Sequence, residues 1–199
     1  MTPELEKEIA DKMREARELR RGYADFFLWA SDRDLEEWGV VHLLNESLSA
    51  DGRAVFNNLQ SRGRKNDPPD CEAINHQGER VAIEVTELVD GIAIHEHKKA
   101  ESNGLPSDWA DWPKEKFITE LSRRLTDKDN RFTSLKDTPY PGGYIVVVHT
   151  DEPDLTLEAI TSYLENHIFT VRNIKQAFLL QSYVPSVGCC PYYELNIHG

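Results

Sequence analysis

The sequence predicts an α/β domain in which a mixed sheet is flanked by helices. Three observations predict it. Apolar residues alternate on both sides of Asn75-His76-Gln77-Gly78, which is the pattern of a β-hairpin spanning roughly residues 70 to 88. A continuous apolar run, Tyr144 to His149, has the composition of a central strand buried on both faces. Amphipathic helical stretches alternate with these strands, as in layered helix-and-sheet domains. A chain of 199 residues accommodates one such domain with a full core and a helical addition. Residues 1–31 read as an N-terminal helical extension and 32–199 as the single domain.

Taken in order, residues 3 to about 21 form a charged helix opened by Pro3, with a thin apolar stripe at Leu5, Ile9, Met13, Ala16 and Leu19. It reads as a packing helix, which leaves a homodimer open. Gly22 to Ala30 is aromatic-rich (Tyr23, Phe26, Phe27, Trp29) and is expected to pack against the core. Asp32 or Asp34 caps a helix running to about Leu48. On it Val40, Val41, Leu44 and Leu48 fall on one side with Glu37 among them, while Glu46 points away. Ala54 to Gln60 is a strand, and a polar, basic loop leads into the hairpin. Residues 89 to 112 read as a long irregular loop carrying His95-Glu96-His97 as exposed residues, with Trp109 and Trp112 anchoring its end. Pro113 opens a helix with Phe117, Leu121, Leu125 and Phe132 as its buried stripe; Lys128 lies within that stripe and Lys114 near it. After the central strand come a helix over 155–169 and closing strands at Ala177–Val184 and Tyr192–Ile197.

The hairpin carries the chemistry. On its second strand Val81, Ile83 and Val85 share one face, and Ala82, Glu84, Thr86 and Leu88 the other. Asp70, just after Pro68-Pro69, stands where the first strand begins and is placed to lie across the hairpin from Glu84. Two carboxylates meeting on a sheet rim suit a hard divalent cation, which takes one or two carboxylates together with water and phosphate oxygens. A glutamate amid an apolar stripe, as Glu37 is, costs energy unless something pairs with it.

Pro69-Asp70, thirteen intervening residues, then Glu84-Val85-Thr86 resembles the motif of the PD-(D/E)xK nuclease superfamily, the restriction-endonuclease-like fold. The resemblance covers residues 34 to 150 in the order of elements, αβββαβ, and only a few positions in sequence. It implies a restriction-endonuclease-like core carrying an N-terminal helix and a C-terminal helix and strands as additions. It also implies that Asp70 and Glu84 bind the metal, Mg²⁺ or alternatively Mn²⁺, with the carbonyl of Val85 and, through water, Glu37, which matches a glutamate on the family's first core helix. The family's third position is normally lysine; here it is Thr86, a departure that shifts the lysine's role. Some branches supply that lysine from the following helix, which makes Lys128 the substitute and Lys114 the reserve. The resemblance thus implies a Mg²⁺-dependent phosphodiesterase acting on DNA. In it Lys128 stabilises charge on the phosphate and Thr86 hydrogen-bonds a water at the metal. Asp70→Ala is expected to abolish cleavage and leave the fold intact.

Composition sets limits on function. The formal net charge of −12 argues against broad phosphate-driven nucleic-acid binding. Cations are nevertheless concentrated mid-chain, from Arg53 to Lys65 and from Lys98 to Lys136. No apolar run approaches the roughly 20 residues of a membrane span, and the charged N-terminus does not read as a signal peptide. Three cysteines (Cys71, Cys189 and Cys190) form neither a disulfide framework nor a zinc spacing, pointing to a reducing cytoplasm. His42, His149 and the cysteines offer no triad spacing. The rival to the nuclease is a catalytically inactive scaffold of the same fold, an acidic inhibitor- or immunity-type module that binds a basic protein.

Overall fold

A computed structural model describes residues 33–103 and 110–199. The helix expected at 3–21, the aromatic segment at 22–30, Asp32 and Trp109 lie outside the described residues. The first described helix, α1, is Arg33–Ala50. Val40, Val41, Leu44 and Leu48 are buried on one side of it, as their spacing requires, and Asp34 falls within the first turn. The strand expected from Ala54 starts only at Asn57 (β1, Asn57–Ser61). The reason is a side-chain staple: the Asn45 amide donates to the Phe56 carbonyl at 2.7 Å and accepts its N–H at 2.9 Å. Phe56 is thereby tied to α1 and leaves no backbone group for a ladder.

The hairpin forms as β2 (Cys71–Ile74) and β3 (Arg80–Glu87). Asn75 closes its turn by accepting the N–H groups of Gln77 and Glu79 at 3.0 and 2.9 Å, and Gly78 takes the positive φ of 81° that the turn needs. The irregular loop expected after it is corrected. A helix, α2, spans Gly91–Ser102. Asp90 caps it, its Oδ1 accepting the N–H of Ile92 at 2.8 Å and of Ala93 at 3.0 Å. Periodicity does not reveal α2, because it buries little besides Ala93 and leaves Ile92, His95 and Glu96 exposed. His95 and His97, two apart on a helix, do not face one another as a ligand pair would.

Helix α3, Lys114–Arg131, follows Pro113 and buries Phe117, Leu121, Leu125, Lys128 and Asp129. Phe132 is not part of the buried stripe: it opens a 3₁₀ turn, Phe132–Ser134, and is 38 % exposed. The Asp129 carboxylate accepts the N–H groups of Arg172, Asn173 and Ile174, which pins the C-terminal end of α3 to the start of a later strand. Strand β4 is Gly143–Thr150 and helix α4 is Leu157–Leu164. The helix expected to reach 169 stops five residues earlier, because Asn166 adopts φ 58° and breaks the spiral; Ile168 is left exposed. The remaining strands are β5 (Phe169–Thr170), β6 (Ile174–Gln181), β7 (Tyr192–Glu194) and β8 (Ile197–His198). The strands expected at 177–184 and 192–197 are therefore shifted and divided.

The six-stranded sheet has the order β1-β2-β3-β4-β6-β7, and β5 and β8 pair apart from it. β1, β2 and β3 form an antiparallel meander, β3, β4 and β6 run parallel, and β7 is antiparallel. Strand alternation sends Val81, Ile83, Val85, Ile145 and Val147 toward α1. Ala82, Leu88, Tyr144, Val146 and Val148 face the opposite way, toward α3 and α4. The result is an α/β domain with a mixed sheet between helical layers. No helix among the described residues is long and apolar enough to cross a membrane.

Candidate metal centre

The site is built where the β2–β3 ladder runs out. Cys71 pairs with Ile83, so Asp70, one residue earlier, falls opposite Glu84. In place of another backbone rung, Asp70 Oδ2 accepts the N–H of Val85 at 2.8 Å. A strand residue's N–H and C=O leave by the same edge, which puts the Val85 carbonyl on the Asp70 side. The approach loop is fixed by the Arg62 N–H on the Asp70 carbonyl at 2.9 Å and the Lys136 N–H on the Pro68 carbonyl at 2.8 Å.

Glu84 points to the α3 face of the sheet, and α3 answers with cations. The Lys128 ammonium donates to Glu84 Oε2 and lies 3.4 Å from Asp70 Oδ2. Arg131, three residues on and so on the same side of the helix, reaches Glu84 Oε2 at 3.2 Å and Asp67 Oδ1 at 2.9 Å. The Tyr144 hydroxyl donates to the Lys128 carbonyl at 2.9 Å and holds that turn against β4.

Both central acids are withdrawn from water: Asp70 is 3 % exposed and Glu84 0 %. Their oxygens divide into two kinds. Asp70 Oδ2 and Glu84 Oε2 take the protein's donors, whereas Asp70 Oδ1 and Glu84 Oε1 are buried with no hydrogen-bond partner. A buried, unpartnered carboxylate oxygen is costly, by about 1–3 kcal/mol and more where the group is charged. Asp67, Asp70 and Glu84 each offer an oxygen, and the three lie within 4.8 Å of one another. An all-oxygen set of that size suits a hard divalent cation. Burial, then the Asp70 charge, pushes the Glu84 carboxyl above its ordinary range, against the opposing pull of Lys128 and Arg131. Arg131 stays above its ordinary value despite burial, held there by Glu84, Asp67 and Asp70.

The other expected residues stand at different distances from this centre. Glu37 projects from α1 on the opposite face, half-buried, with Arg33 at 2.5 Å. Burial and the Asp70 charge raise its pKa, and Arg33 works against them. Thr86 and Val85 line a cavity of about 500 Å³ that also meets Glu37 and Lys128. Lys114 is corrected as a reserve for Lys128: its ammonium is exposed and faces the Ser162 carbonyl at 3.4 Å, against α4. Asp70 is also more structural than the sequence implies, since it is buried and caps the Val85 N–H, so Asp70→Ala would disturb the fold along with the site.

Two members of the cluster escape the sequence reading, Asp67 and Arg131. The signals were present: Asp67 flanks the same two prolines as Asp70, and Arg131 lies three positions beyond Lys128. His149 lies 3.3 Å from Ser182 Oγ, but burial depresses the imidazole to about 3, so it is neutral. The chain matches no family model, no curated protein and no solved structure.

Proposed function

We propose that this chain is a divalent-metal-dependent phosphodiesterase that hydrolyses DNA, on a restriction-endonuclease-like core of the PD-(D/E)xK type. The observation that carries this reading is the pair of unpartnered, buried oxygens, Asp70 Oδ1 and Glu84 Oε1, beside Asp67. The element order supports it as well: a helix, three antiparallel strands, a helix and a parallel strand follow one another from α1 to β4, with α2 inserted.

Asp70, Glu84 and Asp67 would hold the cation, with the Val85 carbonyl on the same rim, and Mg²⁺ is the natural choice for such oxygens, with Mn²⁺ its usual substitute. When bound, the cation supplies Lewis-acid polarisation of the phosphoryl oxygen and acidifies water for in-line attack. The residues of the chain do the rest. Lys128, held at the two acids by its buried stem, presents a fixed positive charge to the charge that develops on the phosphate. It does from α3 what a lysine at position 86 would do from the strand. Thr86 shares the Glu84 face, where its hydroxyl can orient a water, and Glu37, half-buried, opens on the same cavity from the α1 side.

Supercoiled plasmid incubated with the full chain tests this. Nicking is expected with Mg²⁺ or Mn²⁺ and should vanish with EDTA. Cleavage that continues undiminished in EDTA, or no cleavage with either ion, contradicts the proposal.

A further inference from the structure

Together with the acids Glu36, Glu37, Glu87 and Asp127, four cationic side chains line the cavity beside the metal centre: Arg33, Arg124, Lys128 and Arg131. Three of them are already engaged by carboxylates: Arg33 by Glu37, Lys128 by Glu84 and Asp70, Arg131 by Glu84 and Asp67. Arg124 is different. It makes no ion pair or hydrogen bond among the described residues, and its Nε is buried with no partner. Glu120, Asp127 and Glu87 attract it from nearby, but none reaches it at ion-pair distance, and Arg123 already takes Glu120 at 2.7 Å and Asp127 at 3.3 Å. Burial, reinforced by the Arg123 charge, lowers the Arg124 pKa from its ordinary value, against the opposing pull of Glu120, Asp127 and Glu87.

Position adds a second argument. Arg124, Lys128 and Arg131 follow one another at four- and three-residue spacing, on one side of α3. Arg124 therefore stands one turn, about 6 Å, along the helix from Lys128. A guanidinium offers a planar fork of donors that matches two oxygens of a phosphate, a geometry that an ammonium lacks.

We infer that Arg124 binds a second phosphate of the substrate, next to the one at the metal centre, so that the substrate is a polynucleotide strand rather than an isolated phosphodiester. This rests on the nuclease reading for the position of the first phosphate. The inference follows from a cavity lined by an arginine whose buried Nε has no partner and which stands one helical turn from Lys128.

The test is binding of a short fluorescent oligonucleotide, as DNA and as RNA, to the full chain by anisotropy over a range of salt concentrations. Arg124→Ala should weaken binding about tenfold, equivalent to the loss of one charge-assisted contact. It should also reduce the slope of log K against log salt by roughly 0.7 to 0.9, the signature of one lost phosphate contact. Arg124→Lys should keep the slope and lose part of the affinity. Lys114→Ala, which removes the same charge from the same helix where it faces α4, should leave the slope unaltered. A slope and affinity unchanged in Arg124→Ala overturn the inference. The loss appearing with only one of the two strand types supports it and identifies that strand type as the occupant.

A small diester with one phosphate, bis(p-nitrophenyl) phosphate, separates this inference from the nuclease reading. Arg124→Ala should raise KM for DNA and leave turnover of the small diester unchanged. An equal loss on both substrates overturns the second-phosphate assignment. A wild-type chain that cleaves neither substrate contradicts the nuclease reading, and the anisotropy slope still decides the role of Arg124.

Discussion

Asp70→Asn should reduce metal-dependent DNA cleavage by roughly 10²- to 10³-fold, the size of effect seen when one preorganised group of an active site is removed. The substitution is chosen for what it retains. An asparagine oxygen can still accept the Val85 N–H that Asp70 Oδ2 takes at 2.8 Å, so the end of the hairpin stays closed. What disappears is one of the two buried charges that face each other across β2 and β3. Steady-state cleavage rates, measured beside a thermal melt of the same preparation, check the prediction. A variant that melts like the wild type and cleaves as fast would show that Asp70 belongs to the scaffold alone.

Lys128→Met should act on stability and catalysis in opposite directions with respect to metal. Methionine keeps most of the buried stem but removes the ammonium that lies against Glu84 and Asp70. Two carboxylates then remain buried with only Arg131 reaching Glu84. Breaking one partner out of a buried ionic cluster costs about 3–5 kcal/mol. For a chain of this size that lowers the melting temperature by about 10 °C or more. Saturating Mn²⁺ should recover much of the loss, because the ion binds the folded state and supplies the missing positive charge. Cleavage should nevertheless remain depressed at saturating metal, since no cation from α3 faces the phosphate. Thermal melts with and without Mn²⁺, paired with cleavage assays, separate the two effects. A variant as stable as the wild type, or one that the ion fails to rescue, contradicts this account of Lys128.

Much of this centre was legible in the sequence, for reasons that differ by residue. Glu84 could be placed because strand alternation leaves no freedom: once Val81, Ile83 and Val85 are assigned to one face, Glu84 must take the other. Asp70 followed from its place just after Pro68-Pro69, where the first strand of the hairpin begins, and the register Cys71↔Ile83 does set it opposite Glu84. Lys128 was visible as a charge within the apolar stripe of Phe117, Leu121 and Leu125, and it is 6 % exposed.

Asp67 was harder, because no periodicity governs a Pro-Pro loop; its position depends on Lys136 and Arg62 holding that loop from outside. Helix α2 was hidden because a helix lying mostly in solvent has little apolar stripe to show, and only the cap at Asp90 marks it. The early end of α4 depends on one backbone angle at Asn166, which composition does not announce. Arg124 illustrates the remaining limit. Sequence shows a charged residue on an amphipathic helix, but only the three-dimensional arrangement shows that no neighbouring acid reaches it at ion-pair distance and that Arg123 holds two of them.

The whole account turns on whether the acids at the end of the β2–β3 ladder take up a cation or keep Lys128 as their permanent partner. Isothermal titration of Mn²⁺ into the metal-free chain, repeated with Asp70→Asn, decides it most directly. The expected result is saturable binding of Mn²⁺ to the wild type that is lost in the variant. A wild type that gives no binding heat, or a variant that binds as well as the wild type, would mean that the buried acids serve only the fold and that the chain is an inactive scaffold.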